Sequence, residues 1–278
     1  MDIYLYSSKE VICFCENLFK YYKQLELIWK RDESYGNRIH LIDTKRTVEL
    51  DKAIAKSLVT VFYNFHLSKM MEKILRKNYY YSDELEIERI LQHAYSLLYD
   101  DEHEQLKKSF KRKLTNQLME IVETEHTIYL ESICNFQLNT FKTKLIDVVG
   151  LAIDEFKQEE EYQEFINNIR IFLRRKKSIF KEIHIVQGKK LSFFKPSGKR
   201  ISKIELNKIL KEEPLYLLGL TPSDYTLAPL VAMAPRKIII YGDSRFEEKT
   251  KTILNIFEER VIFKSLSHFP FTKFRGEA

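Results

Sequence analysis

Turn-forming residues are scarce in this chain, with 7 Gly and 6 Pro among 278 residues. A fold of many short strands needs a turn at nearly every reversal, so this scarcity excludes it and predicts long helices. Cysteine is equally sparse. Cys13, Cys15 and Cys134 cannot all pair, and none stands in a CxxC spacing, so neither a disulfide framework nor a zinc or redox centre is expected. Free thiols fit a reducing compartment, and the expected location is the cytoplasm. No apolar run approaches the roughly 18 residues of a membrane span, and MDIYLYSSKEVICFC lacks the basic stretch that opens a signal peptide. The chain holds no HExxH or HxH pair, no GxxxxGK[ST] phosphate loop and no nucleophile elbow. No catalytic residue, metal ligand or cofactor is therefore expected.

What is present is helical periodicity. Ile54, Leu58, Val61, Phe62 and Phe65 form one stripe. Ile87, Ile90, Leu91, Ala94, Leu97 and Leu98 form a second, and Leu106, Phe110, Leu114, Leu118 and Ile121 a third. The stretch from Tyr129 to Leu173 continues the pattern through Leu145, Val148, Val149, Ala152 and Phe156, then Tyr162, Phe165, Ile166, Ile169 and Phe172. It reads as a core helix pair interrupted near Gly150. Amphipathic helices this closely spaced stabilise one another mainly by packing, so residues 47–177 are predicted to form a helical bundle.

Short β-prone runs flank the bundle. Ile3–Tyr6, a helix capped by Ser7 or Ser8, and Ile39–Ile42 suggest a β-α-β segment over 1–46. Beyond the bundle, Ile183–Val186 and Leu191–Phe194 around Gln187-Gly188-Lys189-Lys190 predict a hairpin, followed by a turn at Lys195-Pro196-Ser197-Gly198. Thr221-Pro222-Ser223-Asp224 predicts a helix start, KIIIY at Lys237–Tyr241 a buried strand, Ser244 with Glu247 a capping box, and Arg260–Phe263 a last strand. The expected fold is mostly α with small α/β parts: 1–46 a small β-α-β segment, 47–177 a helical bundle, and 178–278 an α/β segment.

The words IDEFKQEEEYQEFINNIRIFL, KEIHIV and SDYTLAPLVAMAPRKIIIY, all from the C-terminal half, carry a family likeness. On them the chain resembles the YtxC-like family, a sporulation-associated family of endospore-forming bacteria. Where that family's pattern would carry Phe-Arg-Leu, this chain has Phe136-Gln137-Leu138. The resemblance implies a cytoplasmic bacterial protein associated with sporulation, and no biochemical activity comes with it.

Three further features read as structure rather than as chemistry. The acidic run Asp154 to Glu164 lacks the Glu-x-x-His spacing of a di-metal bundle and reads as a solvated helix face. The seven histidines, His40, His66, His93, His103, His126, His184 and His268, stand apart from one another in sequence and read as structural or exposed. Gly242-Asp243-Ser244, between a strand and a helix, could offer backbone N–H groups to an anion, but capping explains it equally well and is the reading taken.

Charge is the feature left over. Between Arg174 and Lys211 stand 13 Lys or Arg against Glu182 and Glu205, a local charge of +11 in a chain of +6. Such a segment attracts nucleic-acid phosphates or an anionic membrane surface, with Arg174, Arg175, Lys176, Lys177, Lys199 and Arg200 as the candidate contacts. Phe180, Phe193 and Phe194 among them either stack on bases or form the hairpin's core face. The first reading is a non-enzymatic structural or interaction protein with a protein partner. Nucleic-acid or anionic-surface binding through 174–211 is the alternative.

Overall fold

The computed structural model describes residues 1–23, 25–32, 36–42, 47–99, 104–221 and 226–271, with Leu106 described in its backbone only. The N-cap expected at Thr221–Asp224 and His103 therefore fall largely or wholly outside the described residues. The chain divides into two compact units, Met1–Gln158 and Glu159–Ala278.

In the first unit, β1 (Asp2–Leu5) leads into α1 (Ser8–Tyr21), β2 (Leu27–Asp32) and β3 (Gly36–Leu41). Ser7 caps α1, its hydroxyl accepting from the Glu10 amide at 3.3 Å. The helix ends at Tyr21, and β2 begins at Leu27. The anticipated β-α-β is thus extended by a hairpin, β2 with β3, and β3 lies antiparallel to β1.

Four helices follow: α2 (Val48–Val61), α3 (Leu67–Asn78), α4 (Glu84–Tyr99) and α5 (Glu104–Thr124). In α2, α4 and α5 the apolar stripes follow the predicted pattern, and α3 adds one that the sequence reading did not contain, Leu67, Met71, Ile74 and Leu75. Ile54, Leu58, Phe62, Ile90, Ala94, Leu114 and Leu118 are all buried. Phe141 joins them, its ring 5.2 Å from that of Phe62 and 4.5 Å from that of Phe110.

One short strand, β4 (Thr127–Tyr129), lies inside the predicted helical span and pairs parallel to β1, giving the order β2-β3-β1-β4. Three residues carry no periodicity of their own. It is a partner 125 positions away in the register Asp2↔Thr127 that makes them a strand. Period-2 alternation buries Ile3, Leu5, Ile39 and Leu41 against the helices. The other face is polar and aromatic: Asp2 accepts two bonds from Arg38 at 2.8 and 2.9 Å and lies 2.8 Å from His40, and Tyr4 stacks on Tyr129 at 4.6 Å.

The expected helix pair after Tyr129 is instead a short turn of helix, α6 (Leu130–Ser132), a π-helical turn at Ile133–Gln137, and one continuous helix, α7 (Asn139–Arg175), which crosses the division between the units. Gly150 does not interrupt α7. It makes room for Tyr79, whose hydroxyl donates to the Ile146 carbonyl at 3.2 Å and stands 2.9 Å from where a Cβ on Gly150 would be.

The second unit is a sheet in the order β6-β5-β7-β8, from β5 (Glu182–Val186), β6 (Ser192–Phe194), β7 (Lys237–Gly242) and β8 (Val261–Ser265). The β5–β6 hairpin and the Lys195–Gly198 turn form as read from sequence, with Gly198 at φ +79°. Strands β5, β7 and β8 are parallel and step in one direction across the sheet. Right-handed crossovers with a constant step put every connecting helix on one face. Accordingly Ile183, Ile185, Ile238 and Ile240 pack with α8 (Lys203–Lys211), α9 (Ala228–Met233) and α10 (Glu248–Phe257), whereas Val186, Phe194, Ile239 and Tyr241 on the reverse face pack with Phe269.

The expected capping box is not formed. The N-cap of α10 is Glu247 without a side-chain bond, and Ser244 accepts from Phe246 in a turn just ahead of it.

Candidate functional site

The basic segment runs from the end of α7 through the hairpin into α8. Arg174, Arg175, Lys177, Lys181 and Lys199 are exposed, and none has a carboxylate partner among the described residues. Lys176 differs from its neighbours. Its ammonium pairs with Glu213, only 11% of its side chain is exposed, and it lies over the Phe172 ring at 5.6 Å. Arg200 is exposed and donates to the Ser192 hydroxyl at 3.2 Å. Lys195, over the Phe180 ring at 5.4 Å, pairs with Glu205 at 2.5 Å. Phe193 and Phe194 are buried on opposite faces of the sheet, so neither is available to stack on a base. What this surface offers a partner is positive charge.

Gly242-Asp243-Ser244 has its own occupant. Gln187 donates to the Ser244 carbonyl at 2.8 Å, receives the Ser244 amide at 3.4 Å and donates to the buried Thr250 hydroxyl at 2.5 Å. Its side chain satisfies the groups that an anion would need.

A second site, in the first unit, was not read from the sequence. Parallel strands β1 and β4 end side by side, and the residues that follow, Tyr6-Ser7-Ser8 and Leu130-Glu131-Ser132, line a cleft of about 1400 Å³. Openings at the carboxyl ends of parallel strands are a common place for ligands. Beside it lies a smaller pocket of about 350 Å³, lined among others by Glu10, His66, Lys69, Lys73, Cys134 and Lys142, and Tyr6, Glu131 and Asn135 belong to both. Two π-helical turns, Phe62–His66 and Ile133–Gln137, deliver His66 and Cys134 to its wall. Each carries one residue more per turn than an α-helix, a local cost that often coincides with a functional position.

Glu10 is 2% exposed although it lies in the first turn of α1. Burial pushes its pKa up, but His66 and the backbone amides of Tyr6 and Ser7 outweigh this and hold it below the usual glutamate range. The Tyr6 amide donates to it at 2.9 Å, and His66 Nε2 lies 3.5 Å from its other oxygen. That distance is too long for a good hydrogen bond, and His66 Nε2 is buried with no hydrogen-bond partner. Burial, then the carboxylates of Glu10 and Glu131, pushes the Cys134 thiol up to about 12. A thiol so held stays protonated near neutral pH, which suits packing rather than nucleophilic attack. Among the described residues no group of three or more His, Cys, Asp or Glu is placed to hold a metal ion. No helix among them is long and apolar enough to cross a membrane.

Comparison with known proteins settles the kinship. The model of the YtxC-like family matches residues 52–262. The chain belongs to the YtxC-like family. The uncharacterized protein YtxC of Bacillus subtilis (strain 168) is 27% identical over 274 residues, covering 88% of this chain and 95% of that protein. No solved structure matches. The family match spans the basic segment, His66 and Cys134, while Tyr6 and Glu10 precede it.

The site's residues were hidden from sequence reading because Glu10, His66 and Cys134 share no short spacing. The fold brings them to one pocket, Glu10 from α1 and His66 and Cys134 from the two π-turns.

Proposed function

We propose that this chain works by binding rather than by catalysis, and that its basic segment docks on the phosphates of duplex nucleic acid. The observation that carries this reading is the set of exposed, unpaired cations Arg174, Arg175, Lys177, Lys181 and Lys199 within a segment of charge +11. Unpaired surface cations release counterions from a polyanion at little cost to the fold. With Phe193 and Phe194 buried, base stacking does not contribute, so the contact is to the backbone and sequence preference is weak. The sporulation association implied by the family resemblance supplies the proposed setting, the cytoplasm of an endospore-forming bacterium.

A second reading, docking on an anionic membrane surface, draws on Ile204 (84% exposed), which lies among the lysines of α8, and on Tyr216 (75%) and Leu217 (71%) in the short helical turn Leu215–Leu218 that follows it. Exposed apolar side chains among cations suit a lipid interface.

The test is binding of a fluorescent DNA duplex over a salt series, with vesicles of anionic and of neutral lipid in parallel. Log affinity for DNA is expected to fall against log salt with a slope of about −0.9 per phosphate contacted. Arg174→Glu, Arg175→Glu, Lys177→Glu and Lys199→Glu together are expected to abolish it. Equal binding by wild type and variant would overturn the reading. Retention on anionic vesicles without DNA binding would establish the second reading instead.

A further inference from the structure

We infer that the pocket between the two π-turns binds a phosphorylated small molecule with a planar ring, of the nucleotide class, its phosphates on Lys69, Lys73 and Lys142 and its ring against Tyr6 and Phe136.

The size and form come first. A pocket of about 350 Å³ that opens into a larger cleft matches the common dimensions of small-molecule sites, roughly 300–1,000 Å³. Charge comes next. Lys69 and Lys73 stand four residues apart, hence on one side of α3, and Lys142 comes from the first turn of α7. All three are exposed, line the pocket and have no ion-pair partner among the described residues. Of the two carboxylates present, Glu10 is already held by the Tyr6 amide and by His66, so three ammonium groups face one uncommitted carboxylate, Glu131. Lysines that outnumber the uncommitted carboxylates around them are what a phosphate group selects.

His66 adds an independent observation. Its Nε2 is buried 3.5 Å from a Glu10 oxygen, too far for a good hydrogen bond, and has no hydrogen-bond partner, a rare condition that a phosphate oxygen would relieve. The planar part of the ligand follows from the rim. Tyr6 is 68% and Phe136 73% exposed, and both line the cleft that continues the pocket. Large aromatics left this open present flat faces for stacking. Phe136 lies in the π-turn that delivers Cys134, so a ligand spanning pocket and cleft would touch both π-turns.

Titration calorimetry of the full chain with ADP, with pyrophosphate and with adenosine tests this. ADP is expected to bind, pyrophosphate to bind about tenfold more weakly for want of the ring, and adenosine more weakly still. Lys69→Glu with Lys73→Glu is expected to weaken ADP about tenfold or more, with the melting temperature unchanged because both side chains are exposed. Phe136→Ala should weaken ADP but not pyrophosphate. The fourfold variant of the basic segment should bind ADP as the wild type does, which separates this pocket from the polyanion surface of the second unit. Absence of ADP binding, or binding lost in the basic-segment variant and kept in Lys69→Glu/Lys73→Glu, would overturn the assignment. Equal affinities for ADP and pyrophosphate would overturn the ring contact.

Discussion

Gln187 lies against Gly242 so closely that a Cβ on the glycine would overlap its side chain. The amide of Gln187 bridges the ends of β5 and β7 to the buried Thr250 of α10. Gly242→Ala is therefore expected to expel Gln187 and destabilise the second unit by about 1–3 kcal/mol, as an unsatisfied buried polar group does. Chemical denaturation would show it. Adding Gln187→Ala should then cost little more, and fully additive losses would refute the coupling.

Ile169 and Phe165 offer a contrast on one helix. Ile169 is fully buried and Phe165 half-buried, so Ile169→Ala should cost about 2–5 kcal/mol and Phe165→Ala clearly less. The reverse order in urea melts would mean that this part of α7 presents another side to the core.

Lys176 and Lys177 are neighbours in sequence with different fates. Lys176→Glu places a carboxylate against Glu213 in a largely buried site and is expected to lower the melting temperature by several degrees. Lys177→Glu, at an exposed position, should leave it nearly unchanged. Equal melting temperatures for the two variants would show that the Lys176–Glu213 pair is not formed in solution.

His184 couples the second unit to pH. Its ring lies 3.0 Å from the Tyr241 hydroxyl and 3.1 Å from Glu182, which also pairs with Lys237 at 2.7 Å. Burial lowers the His184 pKa, and the Glu182 carboxylate opposes the shift only in part. Its folded pKa thus lies below the unfolded value of about 6.5. The stabilisation is present above about pH 6.5 and is lost as pH falls through the folded value. Denaturation midpoints should decline below pH 6.5, and His184→Gln should flatten the decline. An identical pH profile in the variant would contradict this.

Cys134 should be nearly inert. A thiol raised from 9.0 to about 12 carries on the order of a thousandfold less thiolate at pH 8. Mass-spectrometric timing of iodoacetamide labelling should find Cys134 alkylated far more slowly in the folded chain than in the unfolded one.

The apolar stripes of α2, α4 and α5, the β5–β6 hairpin, KIIIY as a buried strand and the place of the excess positive charge were legible in the sequence alone. Each of these is a local matter. A 3.6-residue stripe, a Gly in a turn or a run of lysines acts over distances that a short window contains. The sequence could not show that Gly150 sits inside a helix, since that depends on Tyr79, or that Lys176 is withdrawn from the basic surface, since that depends on Glu213. Nor could it show β4, because three residues become a strand only when β1 is there to receive their hydrogen bonds. The pocket of Glu10, His66 and Cys134 was decided the same way: contacts between distant residues are fixed by packing, and packing leaves no periodic trace in the chain.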